Sequence, residues 1–211
     1  MFVFAMQTRI KICGITRIED GLAAARLGAD AIGMVFYEAT PRCVTVDQAR
    51  AIAQALPPFV TRVGLFVDVD ADRVRATISA VGLDILQFHG EESAETYRAF
   101  GRPYIKAVRM QDHVDLHAQQ RAYPDAVGLL LDSYVKHAPG GSGETFDWRL
   151  VPQDLEKPII LAGGLTADNV KDAIKAVQPF AVDVSSGVEE AKGIKDPRKI
   201  SAFIEKVRED Q

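Results

Sequence analysis

Short apolar runs alternate with amphipathic stretches from residue 8 onward, at a spacing of about 26 residues, and this rhythm is that of repeated βα units. The runs cover residues 9–13, 31–36, 62–67, 85–88, 104–108, 126–131, 158–162 and 181–184. Several are apolar at both parities, as in Val127-Gly128-Leu129-Leu130-Leu131. A strand of that kind must be covered on both faces, which parallel strands between helices achieve and hairpins with one wet face do not. The intervening stretches carry helical stripes. Val170, Ala173, Ile174 and Val177 form one, and Ile200, Phe203, Ile204 and Val207 form another. Ala49, Ile52, Ala53 and Leu56 follow a cap at Thr45, and Val74, Ile78 and Val81 follow a cap at Asp70. Thr16 and Thr166 are expected to open helices, Asp196 with Pro197 to cap the last one, and Gly28 and Gly82 to stop two others. Residues 94–100 and 113–122 are poorly striped. Eight strands and about eight helices, with no linker between them, predict a single α/β domain over residues 1–211, a closed parallel (β/α)8 TIM barrel. No G-x-G-x-x-G follows the first strand, so the dinucleotide signal of an open sheet is missing.

Composition narrows the function classes. The apolar fraction of 47% is ample for a core, and a net charge of −4 with no basic tract leaves no footprint for nucleic acid. No apolar run approaches the roughly 20 residues that span a bilayer, and the opening Met1–Met6 stretch is too short for a signal h-region. Met6 is an alternative start. Two cysteines, at 13 and 43, build no disulfide framework, so the expected compartment is the cytoplasm. No cluster has metal-ligand spacing and no cofactor is expected.

A barrel of this kind works at the C-terminal ends of its strands. Cys13, Arg42, Asp68, Gln87 with His89, Arg109, Asp132, and Asp183 with Ser185 and Ser186 fall at or just beyond those ends. Lys11 and Cys13 share a face, being two apart on a strand. Cys13 reads as a small buried hydrophobe or as a base once its proton is lost. Asp132 follows three leucines, where desolvation raises a carboxyl pKa; the alternative is a loop-bonding aspartate. Gly163-Gly164 and Ser185-Ser186-Gly187 lie after the last two strands, the recurrent phosphate site of the fold, although paired glycines also serve tight turns. Lys11 is expected to pair with Asp183 or another carboxylate. Residues 133–147, with Gly140-Gly141-Ser142-Gly143, read as a lid or binding loop closed by Phe146-Asp147-Trp148.

Together, Lys11-Ile12-Cys13-Gly14-Ile15-Thr16, Gln87-Phe88-His89-Gly90, Leu130-Leu131-Asp132, the 140–148 stretch, Leu161-Ala162-Gly163-Gly164-Leu165 and Asp183-Val184-Ser185-Ser186-Gly187-Val188-Glu189 resemble the phosphoribosylanthranilate isomerases. The resemblance implies a cofactor-free Amadori rearrangement of a small phosphorylated substrate in tryptophan biosynthesis. It implies that Asp132 is the general acid and Cys13 the base, and that Arg42 meets the anthranilate carboxylate. His89 and Asp183 are expected to bind substrate, and Gly163, Gly164, Ser185, Ser186 and Gly187 its phosphate. Three other readings stay open from the residues alone: another sugar-phosphate barrel, a Schiff-base aldolase through Lys11, and a non-catalytic phosphate-binding barrel. Sequence does not separate a monomer from a homodimer.

Overall fold

In the computed structural model, which describes residues 7–111, 113–133 and 145–209, eight parallel strands close into a barrel. They are β1 (Arg9–Cys13), β2 (Ala31–Val35), β3 (Thr61–Phe66), β4 (Ile85–Phe88), β5 (Tyr104–Met110), β6 (Gly128–Ser133), β7 (Ile159–Leu161) and β8 (Ala181–Val184). Each pairs with the next, and β1 pairs with β8, which sets Lys11 beside Ala31 on one side and Asp183 on the other. The helices are α1 (Ile18–Leu27), α2 (Val46–Ala55), α3 (Ala71–Val81), α4 (Ala94–Arg98), α5 (Leu116–Ala122), α6 (Val170–Val177) and α7 (Pro197–Arg208).

Alternation along each strand divides the core into a layer between barrel and helices and a layer inside the barrel. Ile10, Ile12, Ile32, Met34, Phe66, Phe88, Leu129, Leu131 and Val182 belong to the main cluster, together with the buried helix stripes. Ile105, Ala107, Leu130, Ile160, Ala162 and Ala181, at the opposite parity, form a second cluster inside the barrel. Above them the same parity brings Lys11, Cys13, Gln87 and Asp183, all buried, toward the C-terminal end. The plug is therefore apolar at the bottom, and at the top these polar groups stand beside a small third apolar cluster of Cys13, Val35 and Leu65.

Several local expectations change. Asp132 lies within β6 rather than past its end, because that strand starts and stops two residues later than its apolar run. Between β6 and β7 the described residues hold a short 3-10 turn, Trp148–Leu150, and no α-helix. The glycines expected in a lid there lie outside the described residues. α1 starts after Arg17 with no side-chain cap. The Thr16 hydroxyl instead donates to the Gly193 carbonyl at 2.5 Å, so tertiary contact wins over local capping. Asn169 precedes α6, and its Oδ1 accepts from Thr166 N at 2.9 Å, so Thr166 belongs to the turn before the helix. Thr45, Asp70 and Asp196 cap as expected, and Gly28 and Gly82 end their helices in the left-handed region.

The chain after β8 adds an unforeseen hairpin, β9 (Glu189–Ala191) paired antiparallel with β10 (Ile194–Lys195). At the other end of the barrel, between α2 and β3, Phe59 is fully exposed with φ of 70°. A bulky residue in that region is strained.

Candidate active site

The pocket over the C-terminal strand ends is lined by residues from seven of the strands, among them Cys13, Val35, Leu65, Gln87, Arg109, Asp132 and Asp183, and by Ala162, which directly follows β7. Of the residues singled out in the sequence, Arg42, His89, Gly163, Gly164, Ser185 and Ser186 also line it, while Gly187 lies one residue beyond the lining, packed against the Leu165 carbonyl. Asp68 does not. Its Oδ1 accepts from Glu91 N at 2.9 Å, tying the end of β3 to the loop after β4.

The floor is a buried ionic group. Lys11 Nζ donates to Asp183 Oδ2 at 2.8 Å, as expected, and both side chains are nearly closed to solvent. Burial opposes the Lys11 charge, but Asp183 and the neighbouring Cys13 sulfur hold its pKa above the ordinary lysine value. For Cys13 the balance goes the other way: burial pushes the thiol up, and Lys11 pulls against it. Gly33, paired with Cys13 across β1 and β2, makes the slot for this sulfur. A Cβ there would come within 2.7 Å of Cys13 Sγ and 3.2 Å of Lys11 Cε, so the glycine is needed for the close approach.

Asp132 stands beside Arg109 in register. Burial, with Asp183 adding like-charge repulsion, pushes its pKa up to about 6. His89 is carried the opposite way, down to about 3, by burial and by Lys11, Arg109 and Lys106. It is a neutral imidazole. Gln87 Nε2 lies 2.7 Å from His89 Nε2; an amide nitrogen only donates, so that ring nitrogen accepts and the proton sits on Nδ1. Among the side chains that line the pocket, two buried oxygens, Gln87 Oε1 and Asp183 Oδ1, have no partner. Orphaned acceptors at a pocket floor are places for ligand donors.

The loop after β2 folds back so that Val44 N donates to Val35 O, which sets Arg42 at the rim. Its Nε and Nη2 donate to the two carboxylate oxygens of Glu189, both at 2.8 Å. Lys195 Nζ donates to the same Glu189 at 2.9 Å and to the Ser185 carbonyl at 3.1 Å.

The model of the N-(5'-phosphoribosyl)anthranilate (PRA) isomerase family matches residues 10–206. The chain belongs to that family. A PRA isomerase of Pseudomonas fluorescens is 62% identical over 200 residues, covering 95% of each chain. Among solved structures, a PRA isomerase in complex with reduced 1-(o-carboxyphenylamino)-1-deoxyribulose 5-phosphate is 40% identical with a TM-score of 0.85, covering 96% of this chain and 99% of that one. The structure of monomers generated from the dimeric enzyme of Thermotoga maritima is 38% identical at the same TM-score and coverage. Against the PRA isomerase motifs in the sequence, the structure adds three residues that sequence reasoning missed: Gly33, Glu189 and Lys195. Glu189 was visible only as part of a motif. Lys192-Gly193 is a turn signal that would have located the hairpin.

Proposed function

We propose that Asp132 and Cys13 act as general acid and base in the isomerisation of PRA to 1-(2-carboxyphenylamino)-1-deoxyribulose 5-phosphate, the family's reaction in tryptophan biosynthesis. What carries this reading is one pocket holding a carboxyl that stays protonated to about pH 6 and a thiol beside a buried ammonium. Asp132 protonates the furanose oxygen, and the ring opens to a Schiff base. The Cys13 thiolate then takes the C2′ proton, and the resulting enolamine tautomerises to the ketone. Lys11 faces the sulfur and favours its anionic form. The free Asp183 Oδ1 and the Nδ1–H of His89 suit sugar hydroxyls, one accepting and the other donating. Gly163, Gly164, Ser185, Ser186 and Gly187 hold the 5′-phosphate. Arg42 meets the ring carboxylate, since a planar fork of donors matches that geometry.

The test is direct. Addition of the purified chain to PRA is expected to quench anthranilate-type fluorescence with saturable kinetics. Thiol alkylation is expected to abolish the activity, with substrate protecting. Alkylation of Cys13 with full retained turnover would remove the thiol from the mechanism.

The chain is proposed to work as one barrel domain over residues 1–211, in the cytoplasm, where two unpaired cysteines are stable. No described helix is long and apolar enough to cross a membrane. For assembly we propose a homodimer through the Phe59 loop. The T. maritima relative is described as dimeric. Here Pro57, Pro58 and the strained, fully exposed Phe59 form an apolar projection beside a surface hollow lined by Ala53, Leu56 and Val60 and edged by Thr61, Arg62 and Asp84. Phe59→Glu is expected to sediment as a monomer and to keep its turnover, because the loop lies at the barrel end remote from the pocket. An unchanged sedimentation coefficient would exclude this surface.

A further inference from the structure

We infer that Glu189 and Lys195 are positioning residues for Arg42, and that through it they set the preference for a substrate whose aromatic ring carries a carboxylate. This rests on the reading of Arg42 as the partner of that carboxylate. A guanidinium has five N–H donors in a rigid plane. Glu189 takes the edge formed by Nε and one proton of Nη2, with both bonds at 2.8 Å. The other edge, formed by Nη1 and the second Nη2 proton, stays available to a second carboxylate in the pocket that Arg42 lines. Clamping one edge fixes the plane of the other.

The clamp is itself held. Lys195 is wholly buried, and its ammonium spends its donors on Glu189 Oε1 at 2.9 Å, the Ser185 carbonyl at 3.1 Å and the Ser185 hydroxyl at 3.4 Å. Lys199 Nζ donates to the Glu189 carbonyl at 2.7 Å. The Lys195 amide donates to Asp20 of α1 at 3.2 Å, which ties down the end of the hairpin. The network thus runs from the loop after β2, through the hairpin, to the serine that opens the proposed phosphate loop. A substrate held at its phosphate and its ring carboxylate uses both ends of one rigid frame.

Energetics favour a specificity role over a stabilising one. Arg42 and Glu189 are 11% and 6% exposed at their side chains, so both lose most of their hydration. A buried ion pair of this kind returns little net stability after desolvation. Two cations around one carboxylate also leave one net positive charge, which an incoming carboxylate neutralises. Positioning and simple attraction then predict opposite results. Removing the Glu189 charge raises the local positive charge and would tighten binding if attraction ruled, whereas it frees the guanidinium and weakens binding if orientation rules.

The experiment titrates reduced 1-(2-carboxyphenylamino)-1-deoxyribulose 5-phosphate, and its phenylamino counterpart without the ring carboxylate, into wild type, Arg42→Ala, Glu189→Gln and the double variant by calorimetry. Arg42→Ala is expected to weaken the carboxylated ligand by roughly 10- to 150-fold and to leave the other unchanged. Glu189→Gln is expected to weaken the carboxylated ligand about 5- to 10-fold with no change for its counterpart, and to add nothing in the double variant. If Glu189→Gln does not fold, Glu189→Asp, which keeps the charge but is one methylene too short to reach the fork from the same backbone position, is expected to show the same selective loss. Unchanged or tighter binding in Glu189→Gln, or equal weakening of both ligands, overturns the inference while the Arg42 reading stands. Full discrimination retained in Arg42→Ala overturns both.

Discussion

Cys13→Ala and Asp132→Asn are each expected to lower turnover by about 10²–10⁴-fold, the usual worth of a positioned proton transfer, while leaving the fold and the affinity for inorganic phosphate intact. Their pH profiles carry the stronger test. In the free enzyme the Asp132 carboxyl titrates at about 6, and the Cys13 thiol above its ordinary value. The reactive form, thiolate with protonated carboxyl, therefore holds the same single proton as the dominant form, thiol with carboxylate. Their ratio is independent of pH between the two apparent values, so kcat/KM is expected to be flat there. It falls below about pH 6, where a second proton binds, and falls again where the shared proton is lost. Asp132→Asn is expected to lose the break near 6 and to rise until the thiol itself ionises. Cys13→Ala is expected to keep its residual activity only in acid, declining above about 6. A break near 6 that survives in Asp132→Asn would assign it to another group.

Gly187→Ala is expected to raise KM by roughly 5- to 150-fold and to weaken inhibition by phosphate in parallel, with a smaller change in kcat. The reason is steric. A Cβ at Gly187 would stand 2.0 Å from the backbone oxygen of Leu165, so the loops after β7 and β8 must separate. Overpacking of this kind costs about 1–3 kcal/mol, which converts to that range of affinity. The same cost falls on stability, and thermal denaturation separates the two effects: a variant that melts early but binds phosphate normally would show that the glycine serves packing alone. Normal phosphate inhibition with normal KM would take the anion site elsewhere.

Much of the fold was readable because it depends on local and periodic properties. Strands apolar at both parities have one stable setting, between helices on a parallel sheet, and eight of them close. The boundaries of β1, β4 and β8 coincide with their apolar runs. The caps at Thr45, Asp70 and Asp196 are legible for the same reason, since each is a bond between residues two or three apart. Even the pairing of Lys11 with Asp183 follows from closure, which makes the first and last strands neighbours.

What the chain's order along the sequence could not decide was settled by contacts across the barrel. Thr16 gives up its capping role to reach Gly193, 177 residues away. Asp132 titrates near 6 because it is desolvated beside Asp183, and Cys13 stays a thiol because burial outweighs Lys11. Gly33 is ordinary in a strand pattern and becomes necessary only when the sulfur of Cys13 packs over it. The Arg42–Glu189–Lys195 frame joins residues up to 153 apart in number, and no periodicity links them. Residue type and spacing determined the barrel and which side chains reach its mouth. The charge each of them carries there depends on dielectric and on neighbours from other strands, and only the closed structure supplies both.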